Sequence, residues 1–112
     1  MTQRGNDLVR GSLDLMVLSV LADGPKYGYL IQQRLDVASR GAVRVAAGSL
    51  YPLLHRLEAD KLLKSRVERS TGRERKWYEL TAAGRRRLAK QAEEWNRLAA
   101  CLGELLRPVL ES

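Results

Sequence analysis

Near the C-terminus, Leu88, Ala92, Trp95, Ala99, Leu102, Leu106 and Val109 are separated by 4, 3, 4, 3, 4 and 3 residues, a heptad seam along one helix. Leu98 and Leu105 add a second apolar stripe seven residues apart. A helix that is apolar on more than one side is buried on more than one side. The helix's own domain covers one stripe. A chain of 112 residues supports only one core, so the other stripe calls for a partner. The seam therefore predicts a homodimer with Leu88, Ala92, Trp95, Ala99, Leu102 and Leu106 in its interface. The alternative is an intramolecular bundle with leucines left in water. Thr81 is the expected cap of this helix, and Pro108 the expected point where regular helix gives out.

Upstream, the periodicity is that of shorter helices. Ser12 is placed to cap a helix whose stripe is Leu13, Met16, Val17, Val20 and Leu21, after a loose or fraying start over residues 1–11. Leu15 and Leu18 fall outside that stripe and are assigned to the dimer interface beside the last helix. Asp23-Gly24-Pro25 ends the first helix, because Gly tolerates a left-handed cap and Pro25 cannot extend the ladder. Tyr27-Gly28-Tyr29 opens a second helix to about Ala38, with Tyr27, Leu30, Ile31 and Leu35 facing inward, and Ser39-Arg40-Gly41 breaks it. Ala42 to Val45 reads as a very short strand. In Gly48 to Asp60, Leu50, Leu53, Leu54 and Leu57 recur at i, i+3, i+4 and i+7, which turns Ser49, Tyr51, Pro52, His55 and Arg56 outward. That outer face is either incidentally mixed or built to donate, accept and pack in a DNA major groove.

After Asp60 the period becomes two. Leu62 to Arg69 alternates loosely, Ser70-Thr71-Gly72 is turn chemistry, and Arg73 to Leu80 alternates with Tyr78 and Leu80 on one face. The resulting β-hairpin is heavily cationic. Net charge is +7, and residues 40–76 carry ten Lys or Arg against four acids, so the excess lies on the third helix and the hairpin. A surplus this large attracts polyanions. Beside a groove-reading helix the hairpin becomes a wing whose cations meet phosphate; standing alone it would be a solvated edge guarded against aggregation. The expected fold is mainly α with a small β-hairpin: a winged helix-turn-helix over residues 1–81 and a dimerisation helix over 82–112.

Other classes fit poorly. One histidine and one cysteine, with no glycine-rich phosphate loop, leave no triad and no metal site within one chain, so neither an enzyme nor a metal or other cofactor is expected. The run Leu13 to Ala22 contains Asp14 and is too short to cross a bilayer, and no exposed apolar face accompanies the basic segment, so no membrane partner is expected and the chain reads as cytoplasmic. Cys101 lacks an internal disulfide partner and reads as a small buried apolar residue, with a redox sensor or an intersubunit bridge as the alternative.

Gly48 to Glu58, then Leu62-Leu63, then Arg75-Lys76-Trp77-Tyr78-Glu79-Leu80-Thr81-Ala82-Ala83-Gly84 resemble the PadR family of bacterial transcriptional regulators. Leu8 to Leu15 and Tyr27-Gly28-Tyr29 resemble its N-terminal helices, and the short C-terminal region its compact subgroup. The resemblance implies a homodimeric repressor on an inverted-repeat operator, in some relatives released by an aromatic ligand near the dimer interface. Two departures stand out. Ala46-Ala47 replaces the Ser-Pro that often precedes the glycine, which removes a side-chain cap, and the wing is more arginine-rich than the acidic-tipped form.

The residues expected on double-stranded DNA are Ser49 and Tyr51 in the groove, Pro52 holding the entry geometry from early in the helix, and His55 and Arg56 a turn further on, with Arg56 on phosphate. Lys64, Arg69, Arg73 and Lys76 are assigned to phosphate, and Arg85-Arg86-Arg87 either adds contacts or forms a solvated face. Trp95 either packs in the seam or walls a slot for a planar aromatic effector. The rival to specific DNA binding is a winged-helix adaptor whose basic face meets an acidic protein.

Overall fold

The computed structural model describes residues 12–112. The expectations for residues 1–11 lie outside the described residues. Helix α1 occupies residues 12–20, and a turn leads to strand β1, Lys26–Tyr27. Helices α2, Gly28–Ala38, and α3, Ala47–Ala59, follow, then strands β2, Leu63–Ser70, and β3, Arg73–Leu80, and finally α4, Ala82–Glu111. The sheet is antiparallel in the order β1-β3-β2. Its hairpin register runs from Leu63 opposite Leu80 to Ser70 opposite Arg73, leaving Thr71-Gly72 as the loop. Both loop residues have positive φ, 46° and 77°, as a two-residue primed turn requires.

The core is made by the apolar faces of the helices and sheet, joined by Leu18 from outside the α1 stripe. Val17, Leu18 and Leu21 of the first helical segment meet Ile31 and Leu35 of α2, Leu50, Leu53, Leu54 and Leu57 of α3, and Leu63, Tyr78 and Leu80 of the sheet. Helix α3 ends in a Schellman arrangement. The Leu62 amide donates to Leu57 O at 2.9 Å and the Lys61 amide to Glu58 O at 2.9 Å, with Lys61 left-handed at φ 62°. Thr81 caps α4: its hydroxyl accepts from the Gly84 amide at 2.9 Å and donates to Lys61 O at 2.7 Å. That hydroxyl ties the start of α4 to the end of α3. A Cβ on the buried Gly84 would run into the Leu62 carbonyl, with its carbon 3.1 Å away, and lie 3.2 Å from Leu80 Cδ2, so only glycine lets α4 approach this closely.

Several expectations are corrected here. Residues 42–45 form no strand; the short third strand is Lys26–Tyr27, which pairs with Tyr78 and Trp77. Tyr27 accordingly lies on the sheet rather than in α2. Leu18 is 1% exposed in the protomer's own core, so it is not free to meet a partner; Leu88 is half-buried against that core. Helix α3 begins at Ala47, which puts Pro52 in its second turn, where its missing amide leaves Gly48 O without the usual helical donor. Regular helix runs through Pro108 to Glu111, and Cys101 is exposed rather than buried. Beyond Gln91 every residue of α4 is exposed, so only its first part is covered by its own domain.

Candidate nucleic-acid interface

The exposed surface of α3 is what its stripe predicts: Ser49, Tyr51, Pro52, His55 and Arg56 all reach solvent while the four leucines are buried. The helix starts without a side-chain cap, since Ala46 has no side-chain acceptor for the first free amides. The Ser49 and Leu50 amides already donate to Ala46 O, at 3.0 and 2.9 Å, which leaves the amides of the exposed Ala47 and Gly48 as the free ones. A helix N-terminus with free donors and a positive dipole end suits a phosphate oxygen. Tyr51 is less free than its sequence position suggests. Its ring lies across Gly28 at the start of α2, so close that a Cβ there would sit 2.7 Å from Tyr51 Cζ. Gly28 leaves room for Tyr51, which is 38% exposed, and that exposed part is what can meet a ligand.

The cations divide into two groups. Arg56 Nη2 donates to both carboxylate oxygens of Asp14 on α1, at 2.7 and 2.6 Å. Lys76 Nζ lies 3.5 Å from Glu58 Oε1 on α3, and 5.5 Å from the Tyr78 ring centroid. Lys64 pairs with Glu79 at 3.7 Å and Arg69 with Glu74 at 3.1 Å. Four of the expected phosphate ligands thus hold carboxylates of their own chain. Arg73 at the hairpin tip is exposed and forms no ion pair among the described residues. It lines a cleft of about 190 Å³ with Glu68, Ser70, Thr71 and Arg75.

Arg75 was not among the expected contacts. It sits on the sheet face turned away from Tyr78, its guanidinium 4.7 Å from the Tyr27 ring centroid. Tyr27 meets Trp77 edge-on at 5.0 Å, and Arg66 covers Trp77 at 5.6 Å. Arg66 also pairs with Glu68 at 3.8 Å, whereas Arg75 forms no ion pair among the described residues and its N–H edge stays available. The signal for this lay in the alternation of Arg75, Trp77 and Glu79, but only the pairing of β1 with β3 brings Tyr27 beneath Arg75. Below the sheet, burial pushes the Tyr78 hydroxyl above the ordinary tyrosine range, partly opposed by the Lys76 ammonium, so Tyr78 stays a neutral core phenol.

Two helices joined by a short link, with a basic antiparallel hairpin beside the second and a long terminal helix, define the winged helix-turn-helix DNA-binding fold. Residues 17–90 match the model of the Transcriptional regulator PadR-like family, and the chain belongs to that family; it is a transcriptional regulator rather than an enzyme. The transcriptional regulator Rv3488 of Mycobacterium tuberculosis is 41% identical over 90 residues, which cover 80% of this chain and 81% of that protein. A PadR family transcriptional regulator from Eggerthella lenta superposes with a TM-score of 0.81 at 36% identity, over 94% of this chain and 90% of that one. Bacillus subtilis PadR, solved in complex with operator DNA, aligns with a TM-score of 0.66 at 25% identity over 71% of this chain and 46% of that one.

Proposed function

We propose that the chain is a cytoplasmic, homodimeric, sequence-specific repressor that binds an inverted-repeat operator. The observation that carries the reading is the joint presentation of α3's outward Ser49, Tyr51, Pro52 and His55 with a cationic hairpin tip bearing Arg73. The relative solved with operator DNA supports the choice of partner. In this reading residues up to 81 form the DNA-binding unit and 82–112 the dimerisation helix, whose exposed Trp95, Leu102 and Leu106 meet a second copy together with Leu15 of α1. A dimer places two recognition helices about one helical turn apart on the duplex, about 34 Å, which a palindromic site matches.

The test is a gel shift and footprint on the DNA upstream of this protein's own gene, scored for a short inverted repeat and competed with random duplex. Protection of a repeat that random DNA does not displace is the expected result. Equal affinity for both duplexes would leave a nonspecific binder or the adaptor reading. Trp95, 41% exposed on α4, either stacks on its symmetry mate or walls a slot for a planar aromatic effector. Quenching by aromatic compounds that is lost in Trp95→Phe selects the slot; Trp77 supplies the residual signal.

A further inference from the structure

Resting on the operator reading above, we propose that Arg56 and Glu58 are positioning residues: they fix the roll of α3 about its own axis and so decide which of its side chains face the groove. Successive helix residues are about 100° apart, so Arg56 and Glu58 stand on opposite flanks of the buried Leu57. Each flank is tied to a different element. Arg56 reaches α1, where both Asp14 carboxylate oxygens accept from its Nη2 at 2.7 and 2.6 Å. Glu58 reaches the wing, accepting from the Ser65 hydroxyl of β2 and pairing with Lys76 Nζ of β3 at 3.5 Å.

The buried leucine stripe and the seat of Tyr51 against Gly28 set this angle coarsely, and the polar anchors on either flank narrow it. Opposed polar anchors resist rotation in both senses. A roll of about 20° moves atoms about 5 Å from the axis by about 1.7 Å, enough to carry Ser49 or His55 out of hydrogen-bond range of a base edge. One anchor point is on α1, which in the proposed dimer faces the partner, and the other on the wing that holds phosphate. The recognition surface is therefore referenced to both parts of the molecule that fix its place on DNA. Arg56, read from sequence as a phosphate ligand, acts through Asp14.

The variants Asp14→Ala and Glu58→Ala separate this role from phosphate binding, because each releases a cation while removing an anchor. Anisotropy titrations compare the duplex upstream of this protein's gene with a random duplex of the same length. The expected result is a specificity ratio lowered about two- to fivefold per half-site, so roughly 4- to 25-fold for two, with affinity for random duplex unchanged or raised. Both affinities rising by the same factor would mean that Arg56 and Lys76 are phosphate ligands held back by their acids, and the inference would be overturned; an unchanged ratio overturns it too. If the wild type fails to distinguish the two duplexes, the operator reading fails. The positioning role is then decided on the DNA-free protein by residual dipolar couplings over residues 47–59. A rotated or averaged α3 frame in the variants sustains it, and a frame identical to wild type refutes it.

Discussion

Truncating two leucines on the exposed seam of α4 tests the dimer directly. Trp95, Leu98, Leu102, Leu105, Leu106, Val109 and Leu110 are 41 to 77% exposed in the protomer, together about four whole apolar side chains left in water. Leu102 and Leu106 are 47% and 41% exposed, so nearly half of each remains to be buried by a partner. Leu→Ala removes three carbons worth about 0.8 kcal/mol each on full burial, hence about 1 kcal/mol per site here. Two sites on two protomers bring the loss to about 4 kcal/mol, roughly a thousandfold in the dimer Kd. Alanine is the better helix former, so the protomer itself keeps its helicity. Sedimentation equilibrium of wild type and Leu102→Ala/Leu106→Ala over a wide concentration range reads this shift. A wild-type protein that stays monomeric at micromolar concentration with operator present, or a double variant with unchanged Kd, refutes the reasoning.

Arg73→Ala should weaken binding to all duplexes alike and flatten the log–log salt slope by about 0.9, whereas Arg69→Ala, which removes a cation already paired with Glu74, flattens it less; a loss confined to one base position contradicts the phosphate assignment. Gly84→Ala should lower stability by about 1–3 kcal/mol despite its better helix propensity, because the new Cβ meets the Leu62 carbonyl and backbone cannot give way cheaply; a denaturation midpoint at or above wild type sinks this. Asp23, held below the usual carboxylate range by the hydrogen bond and charge of Lys26, stabilises the fold above that range and loses the contribution as pH falls through it. In Asp23→Asn the acid limb of the stability profile should flatten and neutral-pH stability should fall, since the buried Lys26 ammonium then faces a neutral amide and Gly24 O at 3.3 Å in place of a carboxylate; an acid limb identical to wild type excludes this linkage.

The parts of this fold that were legible in sequence are those governed by local period. The leucine stripe of α3, the hairpin turn at Thr71-Gly72 and the Thr81 cap each follow from residues within a few positions of one another. What was not legible depends on pairing across the chain. Lys26–Tyr27 is too short to show alternation, and it becomes a strand only because β3 offers Tyr78 and Trp77 opposite it. Leu18, read as a partner contact because it lies off the stripe, is buried because a short α1 sinks more than one face into its own core. The same limit governed the site: α3's outer face was correctly turned outward, but sequence does not reveal that Asp14, 42 positions away, holds Arg56, or that Gly28 seats Tyr51. Pro108 does not end α4, because an exposed helix tolerates an unpaired carbonyl that water can satisfy.

Pairing and net charge act on different observables, which gives the wing's acids a definite role. Long-range steering depends on the summed charge of +7, in which every glutamate counts whether or not it holds a cation. Counterion release depends on the phosphates neutralised at contact, and a cation that must first leave its own carboxylate contributes less. Between residues 40 and 76, Arg40, Lys61, Arg73 and Arg75 form no ion pair among the described residues, whereas Arg69 is held by Glu74. Glu74→Gln raises the net charge by one and frees Arg69 at the hairpin tip. Association with any duplex should therefore quicken at low salt, and the salt slope should steepen toward one further phosphate contact, by up to about 0.9. Stopped-flow association and equilibrium titration at several salt concentrations report the two effects separately. A faster on-rate with an unchanged slope would show that Arg69 does not reach phosphate even when released, leaving Arg73 and the stacked Arg75 as the wing's contacts.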